Sequence, residues 1–378
     1  MSAKPKLRAG LIGTGFMGKT HVFGFATALK VFGLPFDIEL RTVADVTEAA
    51  AQRAAAEFGF ARATSDWREI ILDPEIEIVD ITAPNALHEE MALAAIGAGK
   101  HVYCEKPLAT RSAGARRMAE AAETAGIRTQ VGFNYLCNPM FACAREMIQS
   151  GELGEIRGYR GLHCEDYMAD AASPFTFRHD PEGGGALADL GSHALATAEF
   201  LLGPISKVMG DCVIAIPERP VTTGGTRPVT VDDTTRVFLR FENGATGSIE
   251  ANWVATGRKM QHDFEIWGTR GALSFSQERL NELHWYLVDD RPGRQGFRRI
   301  EAGPDHPPYG KFCVAPAHQL GFNDLKAIEV AGFVRAIAGE IEEPFGFRAG
   351  LRIQTLVETI ARSSAEGRWL EVTLERTV

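Results

Sequence analysis

The sequence has no apolar run long enough to cross a membrane and no excess of positive charge. None of its runs approaches the roughly 18 consecutive apolar residues of a transmembrane helix. The apolar run after Lys4 and Lys6 has only about six residues, too few for a signal peptide. Asp and Glu (49) outnumber Lys and Arg (40), and the net charge of −9 disfavours nucleic acid and anionic membranes as partners. We therefore expect a soluble, cytoplasmic protein.

The cysteines lack the close spacing of redox pairs and of most zinc sites. There are six in 378 residues: Cys104, Cys137, Cys143, Cys164, Cys212 and Cys313. In a chain of this length, without a CxxC pair, we expect reduced thiols. A metal held by His163 with Cys164, or by Cys137 with Cys143, is a weaker alternative, and we predict no metal site.

A glycine-rich turn follows the first predicted strand. The apolar run 7–12 is typical of a buried parallel strand, and it leads into Gly13, Gly15 and Gly18. Gly15 allows the backbone to approach a pyrophosphate, and Gly18 allows close packing of the helix predicted over 16–30. The N-terminus of that helix would face the phosphates. The pattern predicts a dinucleotide-binding turn whose contacts are Gly13, Gly15, Phe16, Met17 and Gly18.

Asp45 ends the second predicted strand, 38–44, and bears on the choice of cofactor. A carboxylate there accepts hydrogen bonds from ribose hydroxyls and repels a 2′-phosphate, so NAD is expected and NADP is less favoured. Asp45 follows Gly18 by 27 residues (45 − 18), later than the usual spacing of about 20, because a loop lies at 31–37. The alternative is that Asp45 only caps the helix that begins near Thr47.

Strands and helices go on alternating through the first third of the chain. Predicted strands end near Thr82, Glu105 and Gly132, and helices are predicted over 48–58, 91–98 and 112–125. This alternation predicts a parallel sheet in an α/β Rossmann domain, which we place at residues 1–131.

Two polar segments follow strands of this sheet. Open α/β sheets bind ligands outside the carboxyl ends of their strands. We therefore expect cofactor contacts from Pro84, Asn85, His88, Glu105, Lys106 and Pro107. The ammonium group of Lys106 would lie where a nicotinamide ring should sit. The alternative is a solvated surface lysine.

The remaining residues, 132–378, have a different pattern. In 235–241 apolar residues alternate with arginines, and Asn243 with Gly244 marks a hairpin turn. This predicts an α+β domain with a mainly antiparallel open sheet, which would bind the substrate. Because one face of such a sheet often needs a partner, we also expect a homo-oligomer, either a dimer or a tetramer.

Asp189 and His193 follow the glycines at 183–185 on a predicted helix. Their spacing of four places them on one face, where a carboxylate orients an imidazole and raises its basicity. The nearby helix N-terminus favours the neutral imidazole that a general base requires. We predict that His193 takes the proton of a secondary alcohol, Asp189 orients His193, and Lys106 stabilises the developing alkoxide. The alternative is a surface pair that only supports the helix.

Other polar residues are interleaved with aromatic ones, as in sites that bind polyols. The candidates for substrate binding are Asn134, Tyr135, Glu165, Asp166, Tyr167, Arg178 and His318.

Together these motifs resemble the Gfo/Idh/MocA oxidoreductases along essentially the full length of the chain. The resemblance implies two domains and supports Lys106, Asp189 and His193 as catalytic residues. Within the family it is closest to the L-glucose and scyllo-inositol dehydrogenases, with levoglucosan dehydrogenases next. The segments that carry this finer resemblance are 15–19, 165–170, 278–283, 296–300 and 318–323.

The leading hypothesis is an NAD-dependent dehydrogenase that oxidises a secondary hydroxyl of a cyclic polyol or pyranose. Its substrate would be scyllo- or myo-inositol, or an aldose such as L-glucose. The alternatives are an NAD-dependent keto-sugar reductase, a glycoside hydrolase of the same family that transfers and returns a hydride, and a non-catalytic NAD(P)-binding regulator. The presence of Lys106, Asp189 and His193 together disfavours the regulator.

Overall fold

The computed structural model describes residues 4–373, and we number their elements in chain order. The α-helices are α1 (Phe16–Val31), α2 (Glu48–Phe58), α3 (Arg68–Leu72), α4 (His88–Gly97), α5 (Ser112–Ala125), α6 (Pro139–Gln149), α7 (Ser192–Leu202), α8 (Phe322–Ile337) and α9 (Phe347–Glu366). None of the helices in this range combines the length and apolar character that a membrane span requires.

The strands divide between two large sheets and one small hairpin. They are β1 (Lys6–Ile12), β2 (Asp37–Ala44), β3 (Arg62–Thr64), β4 (Ile78–Ile81), β5 (His101–Cys104), β6 (Thr129–Val131), β7 (Ile156–Cys164), β8 (Ile205–Val213), β9 (Glu218–Pro220), β10 (Thr226–Pro228), β11 (Thr234–Phe241), β12 (Thr246–Asn252), β13 (Gln261–Gly268), β14 (Gly271–Ser276), β15 (Glu282–Leu287), β16 (Arg298–Glu301) and β17 (Leu370–Glu371).

Strands β1–β6 form a parallel sheet in the order β3-β2-β1-β4-β5-β6. Its central strands β4 and β5 are mostly buried and mostly apolar, as expected where helices cover both faces of a sheet. The strand order reverses between β1 and β4, so the carboxyl ends of these two strands border the crevice in which such sheets bind ligands. The predicted Rossmann domain is confirmed.

The unit that contains this sheet extends further than we predicted. It comprises residues up to 137 together with 321–352, whereas we expected a boundary at 131 and placed α8 in the second domain. Close packing of α8 on α1 explains the difference. A Cβ atom at Gly24 would lie only 2.9 Å from Cγ of Lys326, and the Tyr135 ring lies 5.9 Å from that of Phe322.

Among the described residues, the second unit comprises 138–320 and 353–373, and it contains a nine-stranded sheet. The strand order is β16-β15-β14-β13-β7-β12-β11-β8-β17, and only the β7–β12 pair is parallel. In β11 the buried Val237, Leu239 and Phe241 alternate with exposed Arg236 and Arg240, as predicted. The mainly antiparallel sheet is thereby confirmed.

Candidate active site

The glycine turn after β1 has the shape that a dinucleotide needs. Gly13 has φ +97°, and a Cβ atom there would lie 2.8 Å from the Thr82 carbonyl oxygen. A Cβ at Gly18 would lie 2.3 Å from the Gly13 oxygen, whereas one at Gly15 would meet nothing within 4 Å. Gly15 caps α1 without a side chain, so the first N–H groups of this helix can receive a phosphate. These residues fit the pyrophosphate of NAD.

Asp45 lies beside this turn at the end of β2. Its Oδ2 accepts a hydrogen bond from the Thr14 N–H at 3.1 Å and another from the Thr14 hydroxyl, and its Oδ1 accepts one from the Val46 N–H at 2.7 Å. Helix α2 is capped instead by Thr47, whose hydroxyl accepts a bond from the Ala50 N–H. The capping role that we considered for Asp45 therefore belongs to Thr47, and ribose binding by Asp45 stays a prediction.

Replacing Asp45 by asparagine should weaken the preference for NAD over NADP. The amide keeps an acceptor for Thr14 but removes the charge that would repel a 2′-phosphate. We expect the ratio of kcat/KM for the two cofactors to fall by about tenfold or more. The control is Asp37→Asn, which changes an exposed carboxylate at the other end of β2. An unchanged ratio in Asp45→Asn would show that another residue selects the cofactor.

His88 connects the two polar segments that follow β4 and β5. The ring is fully buried, with Nδ1 2.8 Å from the Pro107 carbonyl oxygen and Nε2 2.9 Å from that of Ala83. Burial lowers the pKa of His88. These contacts support a role in holding the two segments together rather than direct contact with a cofactor. Pro84 is exposed and Asn85 half-buried, and both remain predicted cofactor contacts.

Glu105 is also buried, and it contacts side chains that the sequence analysis did not identify. Its Oε2 accepts a bond from the Lys106 backbone N–H at 3.1 Å. Its Oε1 accepts a bond from Lys326 Nζ at 3.1 Å and lies 2.8 Å from His21 Nε2. Although burial opposes it, Lys326 holds the pKa of Glu105 well below its usual range. Glu105 therefore supports Lys106, and direct cofactor contact by its carboxylate gains no support.

A pattern in the sequence could have pointed to Lys326. Val330 and Phe333 follow it at i+4 and i+7, and all three side chains are completely buried. A lysine within an apolar stripe of this kind signals a buried charge, which requires a partner of opposite sign.

In the second unit, Asp189 lies in a π-helical turn, Leu187–Gly191, directly before α7. We predicted one continuous α-helix with Asp189 and His193 aligned at i and i+4. The wider turn alters that alignment, because its hydrogen bonds run to the fifth residue. The Asp189 Oδ2 accepts bonds from the Tyr167 hydroxyl at 2.7 Å and from Arg178 Nε at 3.1 Å. Burial and Asp189 raise the pKa of Tyr167, so its hydroxyl stays a donor.

His193 is nearly buried and belongs to a cluster of three imidazoles. Its ring centroid lies 5.5 Å from that of His163 and 6.3 Å from that of His262. Glu165 contacts the cluster, with Oε1 3.1 Å from His163 Nε2. Burial lowers the pKa of His262 well below its usual range, so this ring is uncharged at neutral pH. Because His262 is uncharged, it does not oppose protonation of His193. A general base must be able to accept a proton in this way.

Two predicted substrate contacts have structural partners instead. Both oxygens of Asp166 accept bonds from Lys259 Nζ, at 2.9 and 2.7 Å, and Oδ2 also accepts one from the Gly257 N–H. Lys259 lowers the pKa of Asp166. The exposed His318 ring contacts its own loop, with Nδ1 3.2 Å from the Ala315 oxygen. These contacts favour loop-holding roles for Asp166 and His318 over substrate binding.

Asn134 and Tyr135 lie in a short 3-10 turn, Asn134–Cys137, after β6. Both are buried, and Asn134 Nδ2 has no hydrogen-bond partner within residues 4–373. A buried donor of this kind is suited to a ligand oxygen, so Asn134 remains a predicted contact.

As for metals, the described residues contain no group of three or more His, Cys, Asp or Glu side chains arranged to hold an ion.

Asp232 anchors the start of the helical segment that carries Asp189. Its Oδ2 accepts bonds from the Leu187 N–H at 2.9 Å and the Thr235 hydroxyl at 2.7 Å, and its carbonyl oxygen accepts the Ala186 N–H at 2.9 Å. Burial raises the pKa of Asp232 to about 6 from an ordinary value of 3.8. The folded chain therefore binds a proton here at pH values where the unfolded chain has lost it.

This difference predicts how Asp232→Asn changes stability with pH. Between about pH 4 and pH 6 the contribution of Asp232 to the wild-type free energy of unfolding should fall as the pH rises, because the carboxylate form is disfavoured in the fold. The variant lacks this titration. Its free energy of unfolding relative to wild type should therefore increase by about 2 kcal/mol from pH 4 to pH 7 in urea unfolding. Asp211→Asn, an exposed site on β8, is the control. If plots of the free energy of unfolding against pH ran parallel for the wild type and Asp232→Asn, the prediction would be contradicted.

Comparison with known proteins supports the same assignment. Residues 7–133 match the family described as an oxidoreductase family with an NAD-binding Rossmann fold, and 141–274 match the GFO/IDH/MocA C-terminal domain. Levoglucosan dehydrogenase from Pseudarthrobacter phenanthrenivorans is 39% identical, covering 97% of this chain and 98% of its own. Inositol 2-dehydrogenase 2 from Saccharopolyspora erythraea is 31% identical, over 77% and 80%.

Solved structures agree with both the fold and the cofactor. A levoglucosan dehydrogenase in complex with NADH superposes with a TM-score of 0.95 at 38% identity, covering 97% of this chain and 99% of the other. An NAD binding oxidoreductase from Klebsiella pneumoniae gives a TM-score of 0.93 at 39% identity, covering 98% and 100%. The two matched domains, the glycine turn and these relatives show that the chain belongs to the Gfo/Idh/MocA family of NAD-binding oxidoreductases.

Proposed function

We propose that this chain is an NAD-dependent dehydrogenase that oxidises a secondary hydroxyl of a pyranose or cyclic polyol. The observation that carries the proposal is the setting of Asp189 and His193. Arg178 and Tyr167 hold the carboxylate of Asp189 in place, and His193 follows it in the same helical segment beside two further imidazoles. An ordered carboxylate and an imidazole beside the uncharged His262 suit the transfer of a proton from an alcohol.

Each residue has a defined part in this proposal. NAD, when bound, supplies the hydride acceptor. His193 takes the proton of the hydroxyl that is oxidised, and the ammonium group of Lys106 stabilises the negative charge that develops on that oxygen. Asp189, fixed by Arg178, orients His193 and presents an acceptor to a neighbouring hydroxyl. Asn134, Glu165 and Tyr167 are the remaining candidates for sugar binding.

The relatives favour an anhydropyranose or pyranose substrate over an inositol. The protein named levoglucosan dehydrogenase is 39% identical over nearly the whole chain, whereas inositol dehydrogenases are 31% and 27% identical over 77% and 78% of it. Levoglucosan is therefore the first candidate, with L-glucose and scyllo- or myo-inositol next. A keto-sugar reductase uses the same chemistry in the opposite direction.

The test is NADH formation across a panel of sugars. Purified protein with NAD or NADP is offered levoglucosan, scyllo-inositol, myo-inositol, L-glucose and D-glucose. We expect NAD-dependent turnover of at least one of them, led by levoglucosan. If no sugar of the panel gave NADH formation while the protein still bound NADH, as measured by NADH fluorescence, the proposal would be contradicted. Release of sugar from a glycoside without NADH accumulation would instead indicate a hydrolase.

We further propose that the chain forms a homo-oligomer through the outer face of the nine-stranded sheet. This face has a groove bordered by Phe238 and Trp267, which are 62% and 41% exposed. Beside them lie the ion pairs Arg160–Glu265 and Arg236–Glu250, whose mixed charges allow a second copy to pack on the face. Sedimentation should show an oligomer for wild type and for the control Phe297→Asp, and dissociation for Phe238→Asp. A monomeric wild type would contradict this proposal.

A further inference from the structure

One buried carboxylate, that of Glu105, accepts a hydrogen bond from the Lys106 backbone. Oε2 of Glu105 accepts the Lys106 N–H at 3.1 Å, and Oε1 accepts a bond from Lys326 Nζ at 3.1 Å. Glu105 thus links the Lys106 backbone to Lys326, which lies 221 positions after Glu105 in the chain. A shift of the Glu105 carboxylate would remove this hydrogen bond to the Lys106 backbone.

Lys326 is an unusual residue to find at this position, because its side chain is 0% exposed. Nζ also lies 2.6 Å from Glu329 Oε2 and donates a bond to the Tyr103 hydroxyl at 3.0 Å. Taking such a charge out of water costs so much that apolar residues of similar volume often serve stability equally well. Stability alone therefore gives a weak reason for a lysine here, and a role in positioning gives a stronger one.

The same carboxylate connects Lys106 to the helix of the glycine turn. His21 lies three residues after Gly18 on α1, and its Nε2 and Nδ1 are each 2.8 Å from a carboxylate oxygen, of Glu105 and Asp80 respectively. Although burial opposes it, Asp80 raises the pKa of His21. A ring between two carboxylates donates from both nitrogens when it is protonated. Helix α1 and the segment that follows β5 are thus joined through Glu105.

There is no room for the Glu105 carboxylate to move towards β6. A Cβ atom at Gly132 would lie 2.3 Å from Oε1, 2.6 Å from Cδ and 2.8 Å from Oε2 of Glu105. The carboxylate is therefore confined by Gly132 on one side and by Lys326 and His21 on others.

We propose that Lys326 is a positioning residue for Lys106. Through the Glu105 carboxylate it fixes the backbone of Lys106 relative to the helix that carries the glycine turn. The inference rests on the proposed function, because it takes Lys106 to be the group that stabilises the alkoxide. Without the Lys326 ammonium, Glu105 should turn away from the Lys106 N–H, and the ammonium group of Lys106 should lose its alignment.

A double-mutant cycle between Lys326 and Lys106 tests this. Lys326→Met should lower kcat by about 30-fold, within the range for a misplacement of about 1 Å, and change KM for NAD by less than about threefold. In a Lys106→Ala background the same substitution should lower kcat by less than about threefold, because the ammonium group that Lys326 would position is absent. Equal losses in both backgrounds would show a merely structural role and overturn the proposal.

The chain offers a matched control for burial of a lysine. Lys100 is 7% exposed, and its Nζ bonds the carbonyl oxygens of Asp73 and Ile76 at 2.6 and 2.7 Å. Lys100→Met therefore also removes a buried ammonium from this unit, but any effect on kcat should be the same with and without Lys106. Lys326→Arg should restore most of the activity that Lys326→Met loses, since it keeps the charge.

A second readout does not depend on turnover. Acetylation of the Lys106 amine by acetic anhydride, quantified by mass spectrometry against the exposed Lys30, should change several-fold in Lys326→Met and remain unchanged in Lys100→Met. Gly132→Ala displaces Glu105 without removing a buried charge, and it should give the same change if Lys326→Met does not fold. Unchanged labelling in these variants would overturn the proposal. Altered labelling in a protein that oxidises no sugar would refute the proposed function but support the positioning role.

Discussion

Lys106→Ala is expected to lower kcat for sugar oxidation by about 10²–10³-fold, as removal of one group that stabilises a developing oxyanion typically does. The affinity for NADH should change by less than about tenfold, because the glycine turn and Asp45 supply most of the proposed contacts with the cofactor. Turnover is measured by NADH formation on the most active sugar of the panel. NADH binding is measured separately by fluorescence titration.

The control for this variant is Lys30→Ala, which removes an exposed lysine from the last turn of α1 in the same unit. It should retain wild-type kcat. If Lys106→Ala also turned over at the wild-type rate, Lys106 would not touch the reacting oxygen. If it instead lost NADH binding altogether, its main role would be in holding the cofactor.

His193→Ala should lose about 10²–10⁴-fold in kcat, the usual contribution of a general base. The loss should become smaller as the pH rises, because an alcohol proton is then more easily given up to solvent. Added imidazole should restore part of the activity, since it can take the proton in place of the missing ring. These effects are read from pH–rate profiles with and without imidazole.

His284→Ala provides the comparison, because His284 lies on β15 with its side chain 34% exposed. It should match wild type in kcat and in its pH profile. A His193→Ala variant with unchanged kcat would exclude His193 as the base. A loss that neither pH nor imidazole changed would indicate that His193 holds the structure of the imidazole cluster rather than moving a proton.

Local features of the fold were predictable from the sequence. Gly13 needs a positive φ and Gly18 needs to approach the Gly13 oxygen closely, and both requirements are met by short-range geometry that glycine alone satisfies without strain. Alternation in β11 was equally visible, because side chains on neighbouring positions of a strand face opposite sides.

Features set by distant partners were not predictable. Lys326 meets Glu105 only because α8 returns to pack on α1, so the pairing of Glu105 and the true extent of the first unit were missed together. The π-helical turn at Asp189 was also missed. Its hydrogen bonds differ from those of an α-helix by one residue, and its start is fixed by Asp232, which lies 45 positions away from Leu187.

The central claim is that a hydride passes from a ring carbon bearing a hydroxyl to NAD. The most direct test uses the most active sugar of the panel, deuterated at every ring carbon that carries a hydroxyl. The account predicts NADH that contains one deuterium, together with slower turnover than with the unlabelled sugar. NADH without deuterium, or a modified sugar without any label in the cofactor, would contradict the claim.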